Sequence, residues 1–340
     1  MSKYLSHLAH VEVYATDVEE SVKFYTDKLG MKVVTRDAER VFLRCWGDYY
    51  AYSVVLRPGE NSGLVRMAWR TNSAEDLDEA VARVEATDHA GKWLEPADGI
   101  GRSYEFTGPF GHTMQLFWDV ELYKAEGDDA STYPDRPAKR STAGIAPRQL
   151  DHVTIASRDI KGFAEWYRDV LGFRIMAYAQ LPQPEILFFG VITTNEKSHD
   201  LGILLDASDV SGRIHHYAFW VDTSEQVTEG ADVLTENGVP VEFGPGFHGI
   251  GEQNFLYFRD PSGLRIELNS GGYRNYIPDW KPNVWKIDQG PNDMFRNSTL
   301  PPSMLEASPP TAAPTATEQG VVPGTEAELA EAALRAHNDR

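Results

Sequence analysis

An internal repeat constrains the fold of this 340-residue chain more than any other feature of its sequence. Residues 8–13, followed by an acidic stretch that ends at Gly30, have a counterpart in residues 150–155, followed by a stretch that ends at Gly172. Internal similarity of this kind indicates a fold built from duplicated units. Two more matched pairs complete the repeat: residues 65–69 with 215–219, and residues 106–116 with 258–268.

The hydrophobic periodicity within each half predicts the same order of elements twice. Each copy reads as a strand, then a helix that is stopped by a glycine, then three strands. We therefore predict an α+β fold of four βαβββ modules, paired into two domains. In the first half the predicted strands are 8–14, 31–36, 41–46, 51–57, 64–70, 92–96, 103–107 and 113–118, and the predicted helices are 18–28 and 74–87; the second half repeats this order from residue 150 to residue 269.

Changes in composition mark the predicted boundaries. Residues 1–123 form the predicted N-terminal domain, and residues 147–300 form the C-terminal domain together with an aromatic, proline-rich segment that packs on it. Residues 124–146 are charged and rich in Pro, Ser and Thr, which favours a linker. Residues 301–340 are predicted to form a disordered tail, because they bury too little apolar surface to offset the entropy of ordering. Within that tail, residues 326–337 are predicted to form a short helix that is marginal alone.

The charge balance excludes several classes of partner. The chain has 51 acidic and 32 basic residues and a net charge of −19, which opposes binding to nucleic acid or to an anionic membrane. It has no apolar run long enough to span a bilayer, and its first residues lack the apolar core of a secretory signal. Cys45 is the only cysteine, so no intrachain disulfide can form. We expect a cytoplasmic protein that acts on a small molecule.

Alignment of the two halves isolates three positions whose side chains together form a metal-ligand set in the second half and not in the first. The second half has His152, His216 and Glu267 at these positions. Two imidazoles and one carboxylate form the facial triad that leaves open coordination positions on a non-haem Fe(II) ion. The counterparts in the first half are His10, Arg66 and Gln115, which offer one possible ligand, a cation and an amide. We therefore expect no metal there.

Other histidines are interpreted as structural from the residues alone. Strand alternation places His215 on the face opposite to His216, which favours a structural or supporting role for His215. His248 can be an ordinary loop residue, Tyr257 a core tyrosine and His199 a turn residue. The remaining histidines keep the structural interpretation: His7, His10, His89, His112 and His337.

Four segments carry a resemblance to a known family. They read Leu-Asp-His-Val at 150–153, Ser-His-Asp at 198–200, His-His-Tyr-Ala-Phe at 215–219, and the glycine-rich stretch 246–267. Over about residues 5–300 the chain resembles the type I extradiol ring-cleaving dioxygenases of the vicinal oxygen chelate superfamily, and in particular catechol 2,3-dioxygenases. The resemblance implies two domains of two βαβββ modules each, a metal site in the C-terminal domain, and a homotetramer.

The resemblance also assigns roles to individual residues. Such enzymes hold one Fe(II), occasionally Mn(II), on ligands that match the two histidines and the glutamate of the second half. Their acid/base groups match His199, His248 and Tyr257. The last two would hydrogen-bond the catechol oxygens, and His199 would lie on the O₂ side, stabilise developing negative charge and donate a proton. The expected product is a ring-opened acid of the 2-hydroxymuconic semialdehyde type, formed in the catabolism of aromatic compounds.

Apolar residues near the site favour an uncharged catechol. Relatives that act on carboxylated catechols tend to carry an arginine near the glycine-rich loop, whereas this loop has Phe247 and Ile250. We expect these two residues, together with His248 and Tyr257, to contact the substrate. Catechol or an alkylcatechol is therefore predicted, with homoprotocatechuate or 2,3-dihydroxybiphenyl as alternatives. A glyoxalase-like metal isomerase, which usually has four ligands, and a metal-free binding protein remain as other classes. The sequence does not distinguish iron from manganese.

Overall fold

The computed structural model describes residues 4–181 and 186–310, which form two mixed β-sheets. Strands β1–β8 build an eight-stranded sheet and strands β9–β17 a nine-stranded sheet. The strands are β1 Leu5–Ala15, β2 Lys32–Arg36, β3 Val41–Arg44, β4 Val54–Pro58, β5 Gly63–Thr71, β6 Lys92–Leu94, β7 Ser103–Thr107, β8 Thr113–Phe117, β9 Gln149–Ser157, β10 Arg174–Gln180, β11 Leu187–Thr193, β12 Leu201–Leu205, β13 Ile214–Trp220, β14 Val241–Phe247, β15 Gln253–Arg259, β16 Arg265–Gly271 and β17 Asn283–Lys286. The α-helices are α1 Val18–Asp27, α2 Ala74–Glu85, α3 Ile160–Leu171 and α4 Ser224–Glu236.

The two sheets share one topology. The order β2-β3-β4-β1-β5-β8-β7-β6 in the first half matches the order from β10 to β14 in the second, read as β10-β11-β12-β9-β13-β16-β15-β14. In each sheet the first strands of two βαβββ modules pair antiparallel at the centre. The predicted α+β fold of four βαβββ modules is confirmed. The aromatic segment after residue 271 adds β17, which pairs parallel with β10 at the edge of the second sheet.

Local chemistry fixes the helices as the sequence predicts. At the start of α3 the Asp159 side chain accepts a hydrogen bond from the backbone N–H of Gly162 at 2.8 Å. Gly172 ends the helix with φ of 75°, a left-handed conformation that glycine adopts at little cost. Between these caps, Phe163 and Tyr167 are fully buried on one face of α3. Within the described residues no helix is long and apolar enough to cross a membrane.

The two halves pack against each other through aromatic side chains. The ring of Phe163 lies 5.3 Å from that of Phe110, and Trp69 contacts Phe173 edge-on at 5.1 Å. The OH groups of Tyr25 and Tyr217 are in direct contact across the same boundary. A single hydrophobic core therefore includes residues from both halves.

Residues 301–310 differ from the expectation that the tail begins at residue 301. A short 3-10 helix, Pro302–Leu305, packs beside the second sheet. The buried Arg265 donates to the carbonyl of Ser303 at 2.6 Å, and the buried Arg213 donates to that of Ala307 at 2.7 Å. These bonds supply the ordering energy that composition alone does not reveal. The rest of the predicted tail, with its helix at 326–337, lies outside the described residues.

The contact between the halves yields a stability prediction. We expect Phe163→Ala to lower the free energy of unfolding by about 3–5 kcal/mol, because it leaves a cavity between α3 and the first half. Trp93→Ala, a substitution of a ring that is 41% exposed, should change it by less than about 0.5 kcal/mol. Urea unfolding followed by fluorescence and circular dichroism measures both. Equal losses in the two variants would contradict the assigned core.

Candidate metal centre

Three side chains from neighbouring strands converge on one face of the nine-stranded sheet. His152 lies on β9, His216 on β13 and Glu267 on β16. The register brings them together, because Ala218 on β13 pairs with His152 on one side and with Glu267 on the other. All three side chains are buried. The structure thus gathers the three residues that the repeat singled out.

The three facing atoms form a nearly equilateral triangle. The Nε2 atom of His152 lies 3.2 Å from the Nε2 atom of His216 and 3.2 Å from Oε2 of Glu267, and the last two atoms are 2.9 Å apart. Two ligands in adjacent octahedral positions, each about 2.1 Å from an ion, are about 3.0 Å apart. Three mutually adjacent positions make one face of an octahedron. The triangle therefore fits a facial triad with three open positions.

The carboxylate of Glu267 supports the same assignment. Its Oε1 atom is buried and has no hydrogen-bond partner among the residues that the structure describes. A buried carboxylate oxygen without a donor or a cation is costly. Two imidazoles and a carboxylate are also a donor set that suits divalent iron or manganese. The residues present therefore fit a bound divalent ion.

The protonation states follow from burial and neighbouring charge. Burial lowers the pKa of His216 to about 4, so this imidazole is neutral at pH 7. Burial also disfavours the charged form of His152, but the carboxylates of Glu267 and Asp151 outweigh it and raise the pKa of His152 to about 9. Burial alone would raise the pKa of Glu267, yet His152 and His216 hold that pKa well below its usual range. The carboxylate is therefore ionised.

An anionic network supports His152. Its Nδ1 atom lies 2.8 Å from Oδ2 of Asp151, which also accepts from Asn269 Nδ2 at 3.2 Å. The ammonium of Lys197 lies 2.9 Å from the other Asp151 oxygen. Although burial favours the neutral acid, Lys197 and His152 hold the pKa of Asp151 far below its usual range. Carboxylate support of this kind orients a ligand histidine and increases its basicity.

His215 does not point to the opposite face as strand alternation predicts. A register shift between Ile214 and His216 marks a β-bulge in β13, and it turns both rings to the same side. The Nδ1 atoms of His215 and His216 are 2.6 Å apart. The Nε2 atom of His215 lies 2.7 Å from the carbonyl oxygen of Met304. Burial and the nearby Arg265 lower the pKa of His215 well below its usual value, so its ring is neutral.

His248 and Tyr257 form a hydrogen-bonded pair beside the triangle. The Nδ1–H group of His248 donates to the carbonyl of Asn292 at 2.5 Å, and Nε2 accepts from the Tyr257 hydroxyl at 2.9 Å. Burial lowers the pKa of His248. Burial and the Glu267 carboxylate raise the pKa of Tyr257 well above its usual value. Both groups are therefore neutral at pH 7, and the Tyr257 ring lies 5.2 Å from that of His216.

His199 lies on a different side of the triangle. Its ring centre is 4.3 Å from that of His152, and its Nδ1 atom is 3.3 Å from Oγ of Ser198. Burial, with a smaller contribution from His152, lowers its pKa well below the usual value. The neutral imidazole of His199 thus lies next to His152, and Tyr257, paired with His248, lies next to His216.

A mainly apolar cavity opens on the three facing atoms. Ile250, His248 and Tyr257 line it as expected. Phe247, also expected there, is not among the lining residues, because its ring stacks on Phe295 at 5.7 Å. The C-terminal segment supplies side chains that sequence reasoning did not include. The apolar lining residues are Phe188, Phe189, Leu204, Phe243, Ile250, Pro291, Leu300, Met304 and Leu305.

The equivalent positions in the first half have different side chains and different partners. A cleft of about 580 Å³ lies there. Arg66, the counterpart of His216, is ion-paired with the buried Glu12 at 2.7 Å and with Glu105 at 2.8 Å. Gln115, the counterpart of Glu267, donates to the Ser103 hydroxyl at 2.8 Å. Within the described residues, His152, His216 and Glu267 are the one group of three His, Cys, Asp or Glu side chains arranged to hold a metal.

Known proteins resemble the chain over most of its length. The model of the Glyoxalase/Bleomycin resistance protein/Dioxygenase superfamily matches residues 7–116 and 149–268. Over 290 residues the chain is 33% identical to the manganese-dependent 2,3-dihydroxybiphenyl 1,2-dioxygenase of Geobacillus genomosp. 3, covering 84% of this chain and 91% of that protein. It is 30% identical over 290 residues to a metapyrocatechase of Geobacillus stearothermophilus, covering 85% and 88%. The solved 2,3-dioxygenase LapB of Pseudomonas sp. KL28 has a TM-score of 0.76 and 25% identity, covering 85% of this chain and 100% of that chain.

The protonation of His152 predicts how cation binding depends on pH. A metal ligand must be the neutral imidazole, whereas a pKa of about 9 keeps His152 protonated at pH 7, so binding must release one proton. The protonated form is favoured below that pKa. Affinity should therefore rise about tenfold per pH unit between about pH 6 and 8 and level off above about pH 9. Chelator competition with Mn(II) measures this slope, and an affinity that does not change with pH would contradict His152 as a ligand.

Proposed function

This chain belongs to the Glyoxalase/Bleomycin resistance protein/Dioxygenase superfamily and, within it, to the extradiol dioxygenases, and we propose that it cleaves catechol or an alkylcatechol with O₂. The bond cleaved would lie beside the diol, giving a 2-hydroxymuconic semialdehyde-type product. His152, His216 and Glu267 would hold Fe(II), or Mn(II). The triangle of candidate ligand atoms in a mainly apolar cavity carries the proposal, since it combines a donor set suited to a metal ion with an apolar and aromatic lining.

The bound ion and the protein residues would divide the chemistry. When bound by His152, His216 and Glu267, such an ion would supply Lewis acidity that lowers the pKa of a phenol group of the substrate. The protein then has to remove a proton, hold the ring and return a proton to oxygen. The neutral groups on two sides of the triangle are suited to these tasks.

Tyr257 and His248 would bind the substrate oxygen and take its proton. The carbonyl of Asn292 fixes the proton of His248 on Nδ1, so Nε2 is an acceptor. The Tyr257 hydroxyl donates to that atom and can pass a catechol proton to it. Because both groups are neutral at pH 7, His248 is free to accept the proton at Nε2. General base catalysis of this kind contributes about 10²–10⁴ in rate.

His199 would act on the opposite side of the ring. It lines the cavity next to His152. Its neutral imidazole would take up a proton and deliver it to an oxygen atom derived from O₂.

The cavity lining supports an uncharged substrate. Among the described residues that line it there is no lysine or arginine. The carboxylate of a substrate such as homoprotocatechuate would be buried there without a cation, which is costly. A second candidate is a two-ring catechol such as 2,3-dihydroxybiphenyl, favoured by the relative from Geobacillus genomosp. 3 and by aromatic lining residues such as Phe188 and Phe189.

The organisation of the chain belongs to the same proposal. Residues 1–123 would be a domain without metal and residues 147–300 the catalytic domain, joined by residues 124–146. In support of this division, all strands of each sheet lie within one of the two domain ranges. A cytoplasmic homotetramer that has no nucleic acid or membrane partner is inferred from the family resemblance and from the net charge of −19.

Substitution of His199 tests the acid/base assignment. After anaerobic loading with Fe(II) and addition of catechol and air, the wild-type protein should form a yellow ring-fission product. His199→Phe should reduce kcat by about 10²–10⁴ while metal content stays unchanged, because it removes a proton donor and no ligand. His112→Phe, which replaces a buried histidine of the first half, is the matched control. Unchanged turnover in His199→Phe would contradict the assigned role.

Substrate preference is tested by specificity constants. We expect kcat/KM for catechol and for 3- and 4-alkylcatechols to exceed that for homoprotocatechuate by about 10-fold or more, since a buried unpaired carboxylate costs more than 1.4 kcal/mol. 2,3-Dihydroxybiphenyl is compared in the same assay. A preference for homoprotocatechuate would overturn the proposed substrate, and a preference for the biphenyl would favour the second candidate.

A further inference from the structure

Each of the two candidate ligand histidines is preceded by a residue that contacts its Nδ1 atom. Asp151 contacts Nδ1 of His152 at 2.8 Å, and His215 contacts Nδ1 of His216 at 2.6 Å. Residues that are adjacent on a regular strand point to opposite faces and make no such contact. The contacts exist because a register shift occurs at each place, between Leu150 and His152 on β9 and between Ile214 and His216 on β13.

The first half provides an internal comparison. The same register shifts occur there, between Leu8 and His10 on β1 and next to Arg66 on β5. The residues at these shifts are Ala9 and Val65, which have no polar side chain. The duplicated fold therefore requires the bulges but not the polar residues. Of the four bulge positions compared, the two in the half with the candidate metal ligands have polar side chains, Asp151 and His215.

The hydrogen-bond partners determine where the protons lie on His215 and His216. The Met304 carbonyl can only accept, so the Nε2–H group of His215 must donate to it. A neutral imidazole has one N–H group, so Nδ1 of His215 must accept from Nδ1–H of His216. The Nε2 atom of His216 is then left with its lone pair, facing Glu267 Oε2 at 2.9 Å.

We propose that His215 is a positioning residue that fixes His216 as the Nδ1–H tautomer and links it, through the carbonyl of Met304, to the C-terminal segment. The inference rests on the proposed metal site. His215 makes no contact with the ion; it acts by keeping the lone pair of His216 Nε2 directed at the ion. Partners of this kind typically change metal affinity about 10–100-fold when they are removed. The C-terminal segment that lines the cavity is thereby coupled to a ligand.

Two conservative variants separate this role from a structural one. In His215→Asn, the side-chain oxygen can replace Nδ1 as the acceptor for His216, while the bond to Met304 is lost. In His215→Gln, the amide N–H can replace Nε2 as the donor to Met304, while the acceptor for His216 is lost. If His215 only anchored the C-terminal segment, Gln would replace it better than Asn. If His215 orients His216, Asn would replace it better than Gln.

Anaerobic chelator competition with Mn(II), without substrate, measures the effect. We expect His215→Gln and His215→Phe to bind Mn(II) about 10–100-fold more weakly than the wild-type protein, and His215→Asn to stay close to wild type. His10→Asn, which removes a buried histidine from the first half, should leave the affinity unchanged. Equal affinity in the Asn and Gln variants, or a greater loss in the Asn variant, would overturn the proposal.

A measurement on the wild-type protein keeps the test decisive if a variant fails to fold. ¹⁵N-histidine NMR of the Zn(II)-loaded protein should show one proton on Nε2 of His215 and one on Nδ1 of His216. A proton on Nδ1 of His215 would overturn the relay. A wild-type protein that binds no divalent ion would overturn both the proposed function and the relay. Ion binding with the expected order of variants but no catechol cleavage would overturn the proposed reaction alone.

Discussion

The buried carboxylate of Glu267 sets the conditions that the second sheet has to meet. An ionised group in the interior of a protein is stable only with a cation or several donors around it. Two imidazole nitrogens lie within 3.2 Å of its Oε2 atom, and Oε1 has no donor among the described residues. Three neighbouring strands, their register and two bulges together create this environment. The cavity and the side chains of His199, His248 and Tyr257 are arranged around it.

The duplicated first half solves the same problem with a different set of charges. Its buried carboxylate, Glu12, is neutralised by Arg57 and Arg66 at 2.6 and 2.7 Å. An arginine there supplies the positive charge permanently, whereas in the second half the protonated imidazole of His152 can lose its proton. One backbone scaffold thus supports an ion-pair network in one copy and a candidate metal site in the other. Function in this fold depends on a few side chains at fixed register positions.

Much of the fold, and the grouping of three candidate ligands, could be predicted from the sequence, because periodicity and internal repetition are properties of the chain itself. His152, His216 and Glu267 were recognisable since the repeat offers Arg66 and Gln115 for comparison. The orientation of His215 could not be predicted, because a β-bulge is a property of strand pairing. Alternation therefore placed its ring on the wrong face.

Residues 301–310 were expected to belong to a disordered tail for a related reason. The donors that hold them, Arg213 and Arg265, are about 40 to 100 positions away, and the acceptors are backbone oxygens that no composition can reveal. The contact of Phe247 with Phe295 was equally hidden, since Phe295 lies outside any helix or strand. Long-range contacts with the main chain are thus what sequence reasoning lacked at this site.

The attachment of the C-terminal segment has a consequence for adaptation of the cavity. Carbonyl oxygens of Met304, Ser303 and Glu306 receive the hydrogen bonds that hold it, from His215 and Arg265. A main-chain acceptor is present whatever the side chain at that position. Single substitutions in this segment can therefore change the shape and polarity of the cavity wall without removing the hydrogen bonds that hold the segment. The segment is thus a natural place to engineer binding of other aromatic compounds.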